Sequence, residues 1–333
     1  MTRIIPALLA LAMLIGACTE KTPTAAPATA PKLRIAVVPK GTTHEFWKSV
    51  RAGAMRAGAE AGAEITFRGP EKEDDREQQI ALVQNLISAK YDAIVLAPLD
   101  NRALVEPVRQ AAAAKIPIVI IDSGLDATAG TDFVAFVATD NFAGGKLAGE
   151  HMASLLGGKG NVLVLRYLEG SQSTTLREDG FIEALKAHAG FTVTDPKRYA
   201  GATRATAQEA AENLLSAQTG IDGVFCPNEG STFGMLLALR SRGLAGKVKF
   251  VGFDASDAAM DGLRKGEVHG IVLQNPIRMG YLGVMTALEH LRGAPVETSV
   301  DTGAMLVTAD NIDSAEAQEL ISPKFESVPG GNK

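Results

Sequence analysis

The side chains of this chain that could do chemistry stand just after short apolar runs. Leu33-Arg34-Ile35-Ala36-Val37-Val38 is followed by Pro39-Lys40-Gly41-Thr42-Thr43-His44-Glu45-Phe46-Trp47, which carries the single tryptophan. Later runs end in Asp122-Ser123-Gly124, in Glu169-Gly170-Ser171-Gln172-Ser173-Thr174-Thr175-Leu176-Arg177, in Asn228-Glu229, in Gly252-Phe253-Asp254 and in Gln274-Asn275. These are carboxylates, amides, one guanidinium and aromatics, with no repeated nucleophile–base pairing. Such a set binds better than it catalyses.

Known catalytic spacings do not fit. Gly230-Ser231-Thr232-Phe233-Gly234 has the wrong spacing for a nucleophile elbow. His44-Glu45 begins like a zinc-protease helix, but the fifth position is Lys48. Gly144-Gly145-Lys146 is followed by Leu147, so no phosphate loop forms, and Gly157-Gly158-Lys159-Gly160-Asn161 precedes a strand and lacks the dinucleotide spacing. No enzymatic activity, metal or cofactor is expected.

A sugar, by contrast, asks for this inventory. Its hydroxyls each donate and accept, and its ring has apolar C–H faces, so planar bidentate groups and flat aromatics suit it. A hydrogen bond to a charged group contributes about 1.5–3 kcal/mol net. A handful reach micromolar affinity, about −8 kcal/mol, after ordering costs.

The elements that must position these groups alternate. Strand candidates are Leu33–Pro39, Glu64–Arg68, Ala93–Pro98, Pro117–Asp122 and Phe133–Thr139, then Asn161–Arg166, Phe191–Lys197, Gly223–Pro227, Lys249–Asp254 and His269–Gln274. Most are continuous apolar runs, as in strands covered on both faces. Between them lie helical patterns such as Asp74–Lys90, where Ile80, Val83, Leu86 and Ile87 share a face. The class is α/β, with parallel sheets and right-handed crossovers. About ten strands exceed one comfortable open sheet, which predicts two lobes. In such sheets ligands bind beyond the carboxyl ends of the strands, where the polar groups stand.

With 333 residues, 46% of them hydrophobic, the chain can fill two cores. A formal charge of −5 without a basic run argues against nucleic acid as a partner. Residues 1–17 read as a signal peptide: Met1-Thr2-Arg3 is a positive start, and Ile4 to Ile15 is apolar but short for a bilayer. Gly16-Ala17-Cys18 resembles a bacterial lipobox, which implies cleavage and a lipid on Cys18; an ordinary secretory signal is the alternative. Residues 18–31, rich in Pro, Ala and Thr, read as a tether. Cys226, the other cysteine, lies in an apolar run and reads as a small buried hydrophobe.

Taken together, these residues resemble the periplasmic sugar-binding proteins of ABC importers, of the ribose-binding type, which share their fold with lactose-repressor-like ligand domains. The carriers are Phe46-Trp47, Ile121-Asp122, Thr139-Asp140-Asn141 with Gly144-Gly145, Arg177-Glu178-Asp179-Gly180-Phe181, Asn228-Glu229, Val251-Gly252-Phe253-Asp254 and Gln274, spread over residues 32–322. The resemblance implies two Rossmann-like lobes joined by a three-crossing hinge: residues 32–139 plus 275–304, and 140–274 plus 305–322, with 323–333 as a flexible tail. It implies that Phe46 and Trp47 form an aromatic wall and that Asp122 grips two hydroxyls. Arg177, Asn228, Asp254 and Gln274 face it, with Phe253 as the second wall. His44, where the family often has an asparagine, and Lys40 are further candidate ligand contacts, with a solvated rim charge as the alternative for Lys40.

Three departures bear on the ligand. Lys40 stands where ribose binders have a small hydroxyl residue, Ser123 where they have an arginine, and Ala202 where an aromatic is common. A hexose, a polyol or a substituted sugar then fits better than ribose. Alternatives stay open at single positions: Trp47 as a core anchor, Asp122 as a loop cap, Arg177 in a surface ion pair, Asp140 and Asn141 as hinge or helix cap. The run Glu71–Glu77 reads as a solvated helix start.

The function expected is that of a monomeric, lipid-anchored periplasmic binding protein that hands a monosaccharide or polyol to an ABC permease. A sensory or autoinducer-type binder without a permease is the alternative, since Lys40 also resembles binders of furanose signals. A repressor would need a DNA-binding headpiece, and the chain has a signal segment there instead.

Overall fold

The structure is a computed structural model that describes residues 32–322 and the isolated Thr2. Apart from Thr2, the residues read as a signal segment and a tether, Cys18 among them, and those from 323 onward lie outside the described residues. Among the described residues no helix is long and apolar enough to cross a membrane.

The first sheet contains β1 (Arg34–Val38), β2 (Glu64–Phe67), β3 (Ala93–Leu96), β4 (Ile118–Ile121), β5 (Ala135–Ala138) and β11 (Ser299–Asp301). The second contains β6 (Lys159–Val164), β7 (Gly190–Thr194), β8 (Gly223–Phe225), β9 (Lys249–Phe253), β10 (Gly270–Gln274) and β12 (Ala304–Val307). Their spatial orders are β11-β5-β4-β3-β1-β2 and β12-β10-β9-β8-β6-β7. The two orders match strand for strand, so the halves repeat one topology. All pairings are parallel except β10 with β12. Central strands such as β3 and β4 are buried at every residue, which is why they lack polar alternation.

Each sheet divides two apolar layers. Ile35 and Val37 face α1 (Glu45–Ala61) and α9 (Pro276–Leu291), whereas Ala36 and Val38 face α2 (Arg76–Ser88) and α3 (Val105–Ala113). The second sheet is covered on one side by α4 (Asn141–Leu155) and α5 (Gln172–Lys186). On the other side lie α6 (Arg204–Ala217), α7 (Glu229–Ser241), α8 (Asp257–Arg264) and α10 (Ala315–Ile321). Cys226 is fully buried in that last layer. Each sheet with its helices is called a lobe below.

The chain passes between lobes after β5, after β10 and between β11 and β12. At these passages Thr139 Oγ1 lies 3.3 Å from Thr302 Oγ1, and the Asp140 amide donates to Asp301 Oδ1 at 3.1 Å. Asp140 also caps α4, accepting from the Ala143 amide at 2.9 Å, so it serves both the hinge and the helix start. α4 and α5 approach closely because Gly145 and Gly180 lack side chains. A Cβ on Gly145 would lie 2.1 Å from the Arg177 carbonyl oxygen, and one on Gly180 2.2 Å from that of Phe142. That contact fixes the height of Arg177 above the second sheet.

Candidate functional site

The loop between β1 and α1, with the first turn of α1, brings four candidate residues to the carboxyl end of the first sheet. Lys40 is buried, and its ammonium lies 2.8 Å from Asp122 Oδ2. His44 occupies the N-cap position of α1 but makes no side-chain cap bond. Its ring turns to Glu73 instead, with Nδ1 2.7 Å from Oε1. Burial opposes a charge on His44, but the adjacent Glu73 carboxylate outweighs it and raises the pKa to about 9. Burial likewise disfavours ionised Glu73, yet His44, Lys40 and the Trp47 indole hold its pKa below the usual range. The Trp47 Nε1–H donates to Glu73 Oε1 at 2.8 Å, and its ring meets Phe46 edge to face, with centroids 4.9 Å apart.

Glu73 therefore corrects the reading of Glu71–Glu77 as a wholly solvated helix start. Its neighbours are exposed, but Glu73 itself is buried beneath the site.

Asp122 follows β4 with φ +62°, and Asp254 follows β9 with φ +65°. Residues with side chains rarely adopt this left-handed backbone, and such strain gathers at functional sites. Asp254 Oδ1 accepts from Gln274 Nε2 at 2.7 Å, and Oδ2 accepts from the Glu229 amide at 3.2 Å. Burial outweighs those partners and Arg177, and raises the Asp254 pKa to about 6.

Arg177 projects from α5 and is fully buried. Its Nε donates to Asn141 Oδ1 at 2.8 Å, its Nη1 to the Pro227 carbonyl at 2.9 Å, and Nη1 also lies 3.8 Å from Asp254 Oδ2. Asn141 Nδ2 donates in turn to the Asp122 carbonyl at 3.2 Å, so one amide links the Asp122 loop to the guanidinium. Asn228 is the N-cap of α7, its Oδ1 accepting from the Ser231 amide at 3.1 Å, and it lines the same cavity. Arg177 Nη2 and Gln274 Oε1 belong to the polar atoms buried without a hydrogen-bond partner among the described residues. Buried polar atoms of this kind call for a partner.

Lys40, His44, Phe46, Trp47, Asp122, Arg177, Asn228, Asp254 and Gln274 all line one small space between the lobes, about 310 Å³ including its opening to solvent. Phe253 is the exception. Expected as the second wall, it is fully buried below the cavity, and its ring lies 4.3 Å from Arg177 Cζ. Phe253 supports the guanidinium from behind by a cation–π contact. Trp47 lines the cavity and also belongs to the first lobe's apolar core.

The lining further includes Glu73, Tyr167, Ser173, Thr174 and Glu229, which sequence reasoning did not assign to the site. Glu229 Oε2 accepts from the Phe46 amide at 3.1 Å across the cleft, while Oε1 pairs with Arg204. It supplies the second lobe's carboxylate to an α1 N-terminus that its own cap residue leaves open. A larger recess of about 1380 Å³, including open solvent, lies beside the site and shares Phe46, Asp254 and Gln274 with it. Its lining is mixed: Glu45, Arg204 and Asp257 alternate with apolar residues such as Phe233, Met260 and Leu320. The charged and hydrogen-bonding groups converge in the small space. No grouping of metal-ligating side chains occurs among the described residues.

Comparison with known proteins agrees with this geometry. A family model described as periplasmic binding protein domain matches residues 35–295. The D-ribose/D-allose-binding protein of Pseudomonas aeruginosa is 31% identical over 321 residues, covering 93% of this chain and 100% of its own. An ABC transporter solute-binding protein from Agrobacterium vitis, solved with bound D-fucose, is 37% identical, with a TM-score of 0.83 over 86% of this chain and 99% of its own. One from Agrobacterium radiobacter, in complex with D-arabinose, is 34% identical with the same TM-score of 0.83, over 88% and 100%. With its two matching sheets and a polar cleft between them, the chain belongs to the periplasmic sugar-binding proteins of ABC transporters, of the ribose-binding type.

Proposed function

We propose that the cleft captures a single monosaccharide or related polyol, and that the closed protein delivers it to an ABC permease. The observation that carries this reading is the convergence of Asp122 and Asp254, each in a left-handed conformation, on one small cavity shared with the unsatisfied Arg177 Nη2. A ligand bonded to both lobes favours closure through its differential affinity for the closed form. The sugars bound by relatives, D-ribose or D-allose, D-fucose and D-arabinose, support the substrate class.

Site residues carry separate parts in this reading. Asp122, Asp254 and Gln274 accept from hydroxyls, Arg177 and Asn228 donate, and Phe46 and Trp47 offer flat surface. Lys40 covers one Asp122 oxygen, so Asp122 keeps less than a free carboxylate's acceptor capacity for the ligand. The protein acts as a monomer held in the periplasm by a lipid on Cys18, a placement supported by the lipobox-like Leu14-Ile15-Gly16-Ala17-Cys18. A thermal-shift panel of pentoses, hexoses and polyols tests the ligand class. A ligand at a hundred times its Kd adds about 2.7 kcal/mol, a rise of roughly 4–5 °C for a chain of this length. A panel with no rise, at millimolar concentration, contradicts it.

A further inference from the structure

We propose that the loop Glu169–Ser173 is an interlobe clasp, and that Arg76 and Gly170 are positioning residues that set the affinity of the cleft from outside it. The loop joins β6 to α5 in the second lobe, yet it bonds to separate loops of the first. Arg76 Nη2 donates to the Glu169 carbonyl at 3.0 Å, and the Asn101 amide donates to the Gly170 carbonyl at 2.9 Å. The Ser173 amide donates to Ser123 Oγ at 3.1 Å, and Lys40 Nζ donates to Ser173 Oγ at 2.9 Å.

The partners on the first lobe are held ready. Asp100 Oδ1 accepts from the Arg102 and Ala103 amides at 2.9 and 2.8 Å, and Oδ2 pairs with Arg76 Nε at 2.7 Å. The guanidinium is thereby aimed at the Glu169 carbonyl. Gly170 has φ +87°, and a Cβ there would lie 2.4 Å from Asp100 Oδ2. Any side chain at 170 pushes the lobes apart along this rim. Neither Arg76 nor Gly170 lines the ligand cavity.

These bonds join residues of different lobes, so opening the cleft breaks them. They stabilise the binding-competent closed form whatever it holds. Apparent affinity scales with the population of that form, so weakening the clasp raises Kd and shifts the free protein toward open geometry by the same factor.

The test compares the full chain with Arg76→Ala and Gly170→Ala. Two readouts are taken: the interlobe distance distribution by fluorescence energy transfer without ligand, and Kd by calorimetry for the tightest sugar of the thermal-shift panel. The expected results are a roughly two- to fivefold weaker Kd for Arg76→Ala, as for one exposed charged bond, and at least tenfold for Gly170→Ala. Both variants show longer interlobe distances. Arg76→Ala keeps a ligand-free melting point within about 2 °C of the parent, whereas Gly170→Ala also lowers it, because φ +87° strains any side chain in open and closed forms alike. Unchanged Kd and coincident distance distributions in both variants overturn the clasp. So does, in Arg76→Ala, a Kd loss matched by a fall in ligand-free melting point, which marks a merely structural role. The affinity readout rests on the proposed sugar binding; the distance readout does not. If no sugar binds, the distances alone decide, and the failure belongs to the ligand reading.

Discussion

Asp122 and Asp254 occupy the same place in the two halves of the molecule. Each follows the fourth strand of its lobe in chain order, each takes a left-handed backbone (φ +62° and +65°), and both face one cavity. The fold thus presents a carboxylate from either side of the cleft, at the carboxyl ends of matched strands.

Asp254→Asn is expected to separate function from stability. The amide keeps the left-handed conformation accessible, because Asn enters that region readily, and it removes a buried carboxylate whose pKa stands near 6. Ligand affinity should fall at least tenfold, measured by calorimetry, while the melting point at pH 7.5 stays level or rises. A large drop in melting point with intact affinity would contradict the assignment.

Affinity should depend on pH through the same residue. Below about pH 6 Asp254 takes up a proton, and the neutral acid accepts hydroxyl protons less well. If the ligand binds only the ionised form, Kd weakens up to about tenfold per pH unit below 6. The stability sign is separate. Its folded pKa lies above the unfolded value of 3.8, so its contribution is greatest below pH 3.8 and is lost as pH rises through 6. Calorimetry from pH 5 to 8 should show the affinity change in the parent and a flat profile in Asp254→Asn.

The His44–Glu73 pair predicts a loss of stability at alkaline pH. His44 is raised from 6.5 to about 9, so its contribution is complete below pH 6.5 and disappears as pH climbs through 9. Glu73 is lowered, so its contribution is complete above pH 4.5 and is lost only in strong acid. The full pair therefore acts between about pH 4.5 and 6.5. The shift on His44 corresponds to at most about 3 kcal/mol, and proton NMR of the His44 ring should give a midpoint near 9. A midpoint near 6.5 would dissolve the pair.

Gly145→Ala tests how Arg177 is positioned. The new methyl meets the Arg177 carbonyl oxygen at 2.1 Å, so α4 and α5 must separate, at an overpacking cost of about 1–3 kcal/mol. Melting point and ligand affinity should fall together. Unchanged affinity would mean that Arg177 is held by its side-chain partners alone.

Much of this arrangement was legible in the sequence because buried parallel strands announce themselves as apolar runs and their polar ends mark the cleft. The strands β11 and β12 were missed. They span Ser299–Asp301 and Ala304–Val307, too short for periodicity to show, and they exist because the chain crosses the hinge a third time. Glu73 was hidden among Glu71, Lys72, Asp74 and Asp75; the distant Lys40, His44 and Trp47 explain its burial. Phe253 was misplaced for the opposite reason. Its neighbour Asp254 points into the cavity, and side chains alternate along a strand, which sends Phe253 underneath.

The most direct measurement is a crystal structure of the protein with the tightest monosaccharide of the thermal-shift panel. Sugar hydroxyls within hydrogen-bonding distance of Asp122 from one lobe and of Asp254 or Arg177 from the other would be the predicted result. A sugar bound elsewhere, or touching one lobe alone, would contradict it.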